Sequence, residues 1–270
     1  MPESPEVQAL AEYLDRHLVA QRIIGVDLEE FRALKTRARP LDELIGATVS
    51  GVRRFGKHLE IVTDGAGLVI SFGRAGWALL DEQTDAPVLA RLEFDGGGSL
   101  TVIDAGSFLS LGLSIVDDVR DVASIAKLGA DPLDPTYSRA PFDSALGSRR
   151  KQIRALLQEQ ESIAGIGGAY SDEILHVAKL SPVAHAVDLS DDDRDRLFAA
   201  VVEVLRAAVT ARRGILPSGQ KAAKVDAMRV HGRTGEPCPV CAGTVQDVPG
   251  SKGAAQYCPT CQTGGVRLPE

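Results

Sequence analysis

Ala130-Asp131-Pro132-Leu133-Asp134-Pro135 divides this chain of 270 residues into two unlike parts. Proline lacks an amide proton and aspartate bonds its own backbone in turns, so the stretch suits neither a helix interior nor a central strand. Upstream, apolar runs at 22–28, 48–55, 58–63, 67–72, 77–80, 89–94 and 99–103 are short and evenly spaced. Gly, Asp and Pro separate them, with Asp64-Gly65 and Gly96-Gly97-Gly98 as turns. That rhythm predicts an antiparallel sandwich or barrel. Downstream, helical signals take over at 142–158, with a basic turn of Arg149, Arg150, Lys151 and Arg154, and again at 170–179. A third helix starts at a Ser190 cap with Asp191, Asp192 and Asp193 in its first turn. It runs through Leu197, Val201, Val204 and Leu205 to Arg212, Arg213 and Gly214. Residues 215–230 read as a loop.

Near the C-terminus stands Cys238-x2-Cys241-x16-Cys258-x2-Cys261. Two Cys-x-x-Cys knuckles let four thiolates converge on one Zn²⁺, and four thiolates close the coordination sphere, so the metal is expected to be structural. The pattern uses all four cysteines and leaves none for disulfides.

At the other end, Met1-Pro2-Glu3-Ser4-Pro5-Glu6 leads into a helix. Ser4 is the expected N-cap and Pro5 suits the first helical position; Val7, Leu10, Ala11, Leu14 and Leu18 form one apolar stripe. A proline at position 2 permits removal of Met1 and need do nothing more. Once freed, however, it is a secondary amine, and an α-amine of pKa about 7.7–8.0 is partly neutral at physiological pH. Attack on an aldehyde-level carbon yields an iminium, an electron sink for elimination, with Glu3 and Glu6 at hand as proton donor, base or electrostatic stabiliser.

Composition fits a globular chain with 44% apolar residues. The N-terminus has no basic segment followed by an apolar one, and no apolar run is long enough to span a bilayer. This predicts a cytoplasmic protein with no membrane partner. The net charge of −7 opposes nucleic-acid binding until its distribution is considered. Residues 211–270 hold eight Lys/Arg against four Asp/Glu, a balance of +4 that leaves −11 for the rest. A phosphate partner belongs at that basic end.

Four motifs in order carry a resemblance that covers nearly the whole chain: Pro2-Glu3-x-Pro5-Glu6; Gly56-Lys57 before a strand; Ile163-Ala164-Gly165-Ile166-Gly167-Gly168-Ala169-Tyr170-Ser171-Asp172-Glu173-Ile174-Leu175; and His231-Gly232-Arg233-Thr234-Gly235-Glu236-Pro237-Cys238. The chain resembles the formamidopyrimidine-DNA glycosylase/endonuclease VIII family of base-excision repair. The resemblance implies an α+β multidomain fold. A catalytic antiparallel β-sandwich domain with an N-terminal helix (1–129) precedes a helix–two-turn–helix domain (130–228) and a zinc ribbon (229–270). It implies a monomer acting on damaged or abasic DNA as a bifunctional DNA glycosylase/AP lyase, by an N-terminal proline Schiff base with β,δ-elimination. Pro2 would attack C1′, Glu3 would assist ring opening and base departure, Glu6 would position the site, and Lys57 would hold a phosphate. The damaged base would leave the stack. Gly167, Gly168 and Tyr170 would face a phosphate at a helix entrance, with Arg154 approaching the DNA.

The departures from the family pattern concern the grip on DNA. The family's Asn is Gly168, and its Asp-Pro-Arg-Arg-Phe loop is Asp104-Ala105-Gly106-Ser107-Phe108, which loses the arginine that fills the gap opposite the flipped base and keeps Phe108 as a wedge. Arg74 replaces the methionine inserted into the stack, and the ribbon arginine is Gly253 with Lys252 beside it. These changes imply an altered lesion preference. The alternative is a non-catalytic DNA-damage or DNA-structure binding protein of the same fold.

Overall fold

The computed structural model describes residues 2–269. It forms two compact units, Met1–Lys127 with Arg212–Lys221, and Leu128–Ala211 with Ala222–Glu270.

The first unit opens with α1 (Ser4–Leu18) and is otherwise an antiparallel sandwich, as the spacing of apolar runs predicts. One sheet has the order β1 (Ile23–Leu28), β6 (Val88–Phe94), β7 (Ser99–Asp104), β5 (Gly76–Leu80). The other runs β2 (Val49–Phe55), β3 (His58–Thr63), β4 (Gly67–Ser71), β8 (Gly112–Val116). Val7, Leu10, Leu14 and Leu18 of α1 join Leu59, Ile61, Leu68, Ile70, Leu92, Val102 and Leu113 in one core, so the apolar stripe of the helix is also its docking face. Strand β8 has no counterpart among the expected runs: every residue in it is buried, so Gly-Leu-Ser-Ile-Val shows no alternation. A short helix, α2 (Ala123–Ala126), closes the unit's main segment.

In the second unit the expected helix at 142–158 is two, α3 (Arg139–Leu146) and α4 (Ile153–Leu157). Gly147 takes φ +52° and caps α3, after which Ile153 N–H bonds Ala184 O at 2.8 Å and not a preceding turn. Next come α5 (Gly168–Ala178) and α6 (Asp191–Arg212), the latter started by a Ser190–Asp193 capping box. The expected loop at 215–230 contains α7 (Gln220–Ala227), whose Gln-Lys-Ala-Ala-Lys sequence favours helix. The cysteine segment carries β9 (Gln246–Asp247), β10 (Gln256–Tyr257) and α8 (Pro259–Gln262). It shares a unit with the helices because α5 reaches into it: Glu173 accepts hydrogen bonds from the main-chain N–H of Arg229, Val230 and His231, each 2.9 Å long. Among the described residues no helix is long and apolar enough to cross a membrane.

Candidate active site and nucleic-acid interface

The two carboxylates nearest Pro2 are fixed by the helix they begin. Glu3, not Ser4 as expected, is the N-cap of α1: its side chain accepts from the Glu6 N–H, and Glu6 Oε2 accepts from Glu3 N–H at 3.1 Å. This reciprocal arrangement works because Glu3 is extended at φ −127° while Glu6 sits one turn on. Both are buried, and Pro2 beside them is half-buried. The helix dipole favours negative charge at this position. Pro2 is therefore attached directly to a rigid pair of carboxylates.

Lys57 sits in the two-residue turn Gly56-Lys57 between paired Phe55 and His58, with Gly56 at φ +55° as a tight hairpin requires. The hairpin is tied along α1: Val52 N–H bonds Asp15 Oδ1 at 2.8 Å and Arg54 Nε bonds Gln8 Oε1 at 2.8 Å. Moving along β2 toward the turn thus means moving toward the N-terminus of α1, and the Lys57 turn lies at the Pro2 end. Neighbouring His58 bonds Ser71 Oγ at 2.7 Å, and burial, with Lys57 adding to it, pushes its pKa down to about 4.

Arg74 and Phe108 are brought together by Ser110 and Asp104. Gly73, at φ +60°, crosses so close to Ser110 that a Cβ there would meet the Ser110 carbonyl oxygen at 2.3 Å. Arg74 N–H then bonds Ser110 Oγ at 2.9 Å. Asp104 gathers the opposite loop, accepting from the N–H groups of Gly106 (2.9 Å), Ser110 (2.8 Å) and Leu111 (3.0 Å). Burial opposes ionisation of Asp104, but these bonds outweigh it and hold its pKa below the usual value. Phe108 is held out at 86% exposure, and Arg74 is exposed as well.

In the second unit, Gln160 braces the turn between α4 and α5 by bonds to Gly165 N and Ile166 O. Gly167 caps α5, Gly168 begins it, and Tyr170 is packed into the core beneath Lys224, whose Nζ lies 4.8 Å from the ring centroid. Arg154 bridges this turn to the ribbon: its Nε bonds fully buried Asp172 at 2.6 Å and its Nη2 bonds Ala254 O at 2.9 Å. The same Nη2 lies 3.6 Å from where a Cβ on Gly168 would stand. Arg154 thus links the start of α5 to the ribbon at Ala254, the residue after Gly253. Its Nη1 makes no hydrogen bond among the described residues, and exposed Lys252 follows on the ribbon loop.

The sulfurs of Cys238, Cys241, Cys258 and Cys261 lie within 4.8 Å of one another and could hold a metal ion. Separations of 3.9 Å (Cys238–Cys261) and 3.4 Å (Cys241–Cys258) bracket the ~3.8 Å edge of a tetrahedron with Zn–S of about 2.3 Å. The N–H of Gly243 on Cys241 draws its thiol pKa down to about 7. His176, buried on α5, places Nε2 3.2 Å from Cys238 Sγ, where an N–H donor would orient a thiolate ligand. A His176→Phe variant is expected to release metal to a chromogenic chelator at least about tenfold faster than wild type. An unchanged release rate would remove His176 from the site.

Several residues that organise these sites are inconspicuous in sequence: Asp104, Asp172, Glu173, His176 and Arg212. Asp104 had a signal, an aspartate two residues before glycine, which favours an Asx turn. Asp172, Glu173 and His176 sit on a helix that is buried nearly all round, so no polar solvent-facing stripe marks them.

The chain is similar to known proteins along nearly its whole length. The formamidopyrimidine-DNA glycosylase N-terminal domain matches residues 1–111 and the formamidopyrimidine-DNA glycosylase H2TH domain matches 128–218. A formamidopyrimidine-DNA glycosylase of Desulforamulus reducens is 30% identical over 97% of this chain and 99% of its own length. An uncharacterized formamidopyrimidine-DNA glycosylase-like protein of Mycobacterium tuberculosis is 46% identical over 141 residues, covering 52% of this chain and 88% of that protein. The crystal structure of the Lactococcus lactis protein with DNA containing FAPY-dG superposes with TM-score 0.84 at 26% identity, covering 96% of this chain and 99% of that one. Full-length identity, both domain matches and the shared fold place the chain in the formamidopyrimidine-DNA glycosylase/endonuclease VIII family.

Proposed function

We propose that the chain is a bifunctional DNA glycosylase and AP lyase acting on damaged or abasic DNA through Pro2. The observation that carries this reading is the attachment of Pro2 to the buried Glu3/Glu6 pair. The Pro2 nitrogen attacks C1′, the C1′–N bond to the base breaks with a proton delivered to the departing base, and Glu3 protonates the ring oxygen as the sugar opens. The resulting iminium acidifies C2′–H; loss of that proton expels the 3′ phosphate, a second elimination expels the 5′ phosphate, and water releases the sugar fragment. Lys57 neutralises a phosphate beside the lesion. One zinc ion would be held by the four cysteines and keep the ribbon loop in shape. Arg154, beside Gly168 and bonded to Ala254 O, is the phosphate anchor where the family's asparagine and ribbon arginine are missing, with Lys252 in support. Such a change of anchors supports a shifted lesion preference. The protein would work as a monomer in the cytoplasm.

Borohydride, which reduces an iminium to a stable amine, tests this directly: incubation with abasic-site duplex should trap a covalent adduct and nick the strand. Salt-sensitive binding with neither adduct nor nick would favour the non-catalytic alternative. A panel of oxidised purines, oxidised pyrimidines and crosslinks then defines the lesion. Phe108 should act as the wedge. Phe108→Ala is expected to weaken abasic-duplex binding by about 1–3 kcal/mol, the range for one base–aromatic stack, without altering its salt dependence. Fluorescence anisotropy at two salt concentrations checks both points.

A further inference from the structure

Arg212 is buried to 2% exposure at the end of α6, and its Nε has no hydrogen-bond partner among the described residues. Among the described residues it faces Glu6: Nε lies 3.5 Å from Oε1, with both side chains 3% exposed. A buried arginine so poorly satisfied is costly, and such groups in native structures call for an explanation. Its backbone, by contrast, is firmly held. The Arg212 carbonyl accepts from Gln220 Nε2 at 3.0 Å, and the same amide bonds Ile215 O at 3.0 Å, closing the turn that follows α6. Trp77 Nε1 bonds Pro217 O at 2.9 Å, fixing this segment to β5. The next residue, Arg213, makes two bonds to Glu12 at 2.7 and 2.8 Å, which holds Glu12 below the usual carboxylate pKa. Two successive arginines thus meet two carboxylates of α1. The outer pair is partly exposed and well formed; the inner pair is buried, long, and on the carboxylate that bonds Glu3 N–H.

We propose that Arg212 is a positioning residue for the Pro2 chemistry, acting through Glu6. Glu6 Oε1 faces Arg212 while Oε2 holds the Glu3 main chain, so the guanidinium sets the position of the carboxylate and, through Glu3, that of the amine. This rests on the Pro2 reading above. An apo site commonly shows such contacts long and tightens them when substrate is bound. A lysine would keep the charge and lose the planar fork; glutamine would lose the charge.

The test compares Arg212→Gln and Arg212→Lys with wild type on two substrates, a preformed abasic-site duplex and the best damaged-base duplex, under single-turnover conditions. Arg212→Gln is expected to slow strand nicking and borohydride trapping on the abasic duplex at least tenfold at saturating protein, with the half-saturating concentration within twofold. Arg212→Lys should recover most of that rate. In a Glu6→Gln background, Arg212→Gln should add less than twofold, because a shared path is lost once. Equal rates in all variants, full additivity with Glu6→Gln, or a loss confined to damaged-base removal would each overturn the proposal; the last would make Arg212 a base-reading residue. Failure of wild type itself to trap would instead refute the Pro2 reading.

Discussion

A Pro2→Gly variant is expected to lose at least about a hundredfold in trapped adduct, roughly 2.7 kcal/mol of transition-state stabilisation, while zinc content and unfolding stay those of wild type. The difference lies in the amine. A secondary amine condenses with an aldehyde-level carbon to a permanently charged iminium; glycine's primary amine gives an imine that withdraws electrons only while protonated. Glycine also frees the chain ahead of Glu3, so the nitrogen no longer sits at a fixed approach to C1′. The α1 capping box involves Glu3 and Glu6 and not the Pro2 ring, so the fold should survive. Mass spectrometry of the borohydride-treated complex measures the adduct, and zinc assay with circular dichroism measures the fold. Undiminished trapping by the glycine variant would move the nucleophile to another amine.

The sandwich was legible because its strands alternate or are punctuated by turn residues, and the cysteine ribbon because metal ligation imposes a spacing. What stayed hidden depends on contacts distant in sequence. Ser4 reads as an N-cap by residue type, but the neighbouring Glu3 takes the role because Glu6, three residues on, completes the box. Strand β8 is buried on both faces, and α7 is too short for periodicity to distinguish it from loop. Arg212 and Arg213 read alike as positive charge at a helix end; only folding sends one to half-buried Glu12 and the other to buried Glu6. Asp172 is similar. Nothing in Ser171-Asp172-Glu173 says that one carboxylate will be sealed from solvent with three donors.

Asp172→Ala should cost about 3–5 kcal/mol, the usual penalty for breaking a buried ion pair from one side. The wild-type carboxylate, fully buried, accepts from Arg154 Nε at 2.6 Å, His231 Nδ1 at 2.7 Å and Gln256 N–H at 3.2 Å. Alanine leaves the guanidinium of Arg154 in a site where only 19% of its side chain is exposed, and it leaves a buried amide of the ribbon without its acceptor. Asp172→Asn, which keeps the shape and one carbonyl acceptor, should cost less than half as much. Because Trp77 lies in the first unit, tryptophan fluorescence would miss the effect; amide hydrogen exchange at 229–231 and 254–257 reads it in place. Both segments should lose protection together, since Asp172 and Glu173 hold them from adjacent positions of α5. DNA affinity should fall with them as Arg154 loses its support. A loss below 1 kcal/mol, or exchange confined to one segment, would show that Asp172 does not couple α5 to the ribbon.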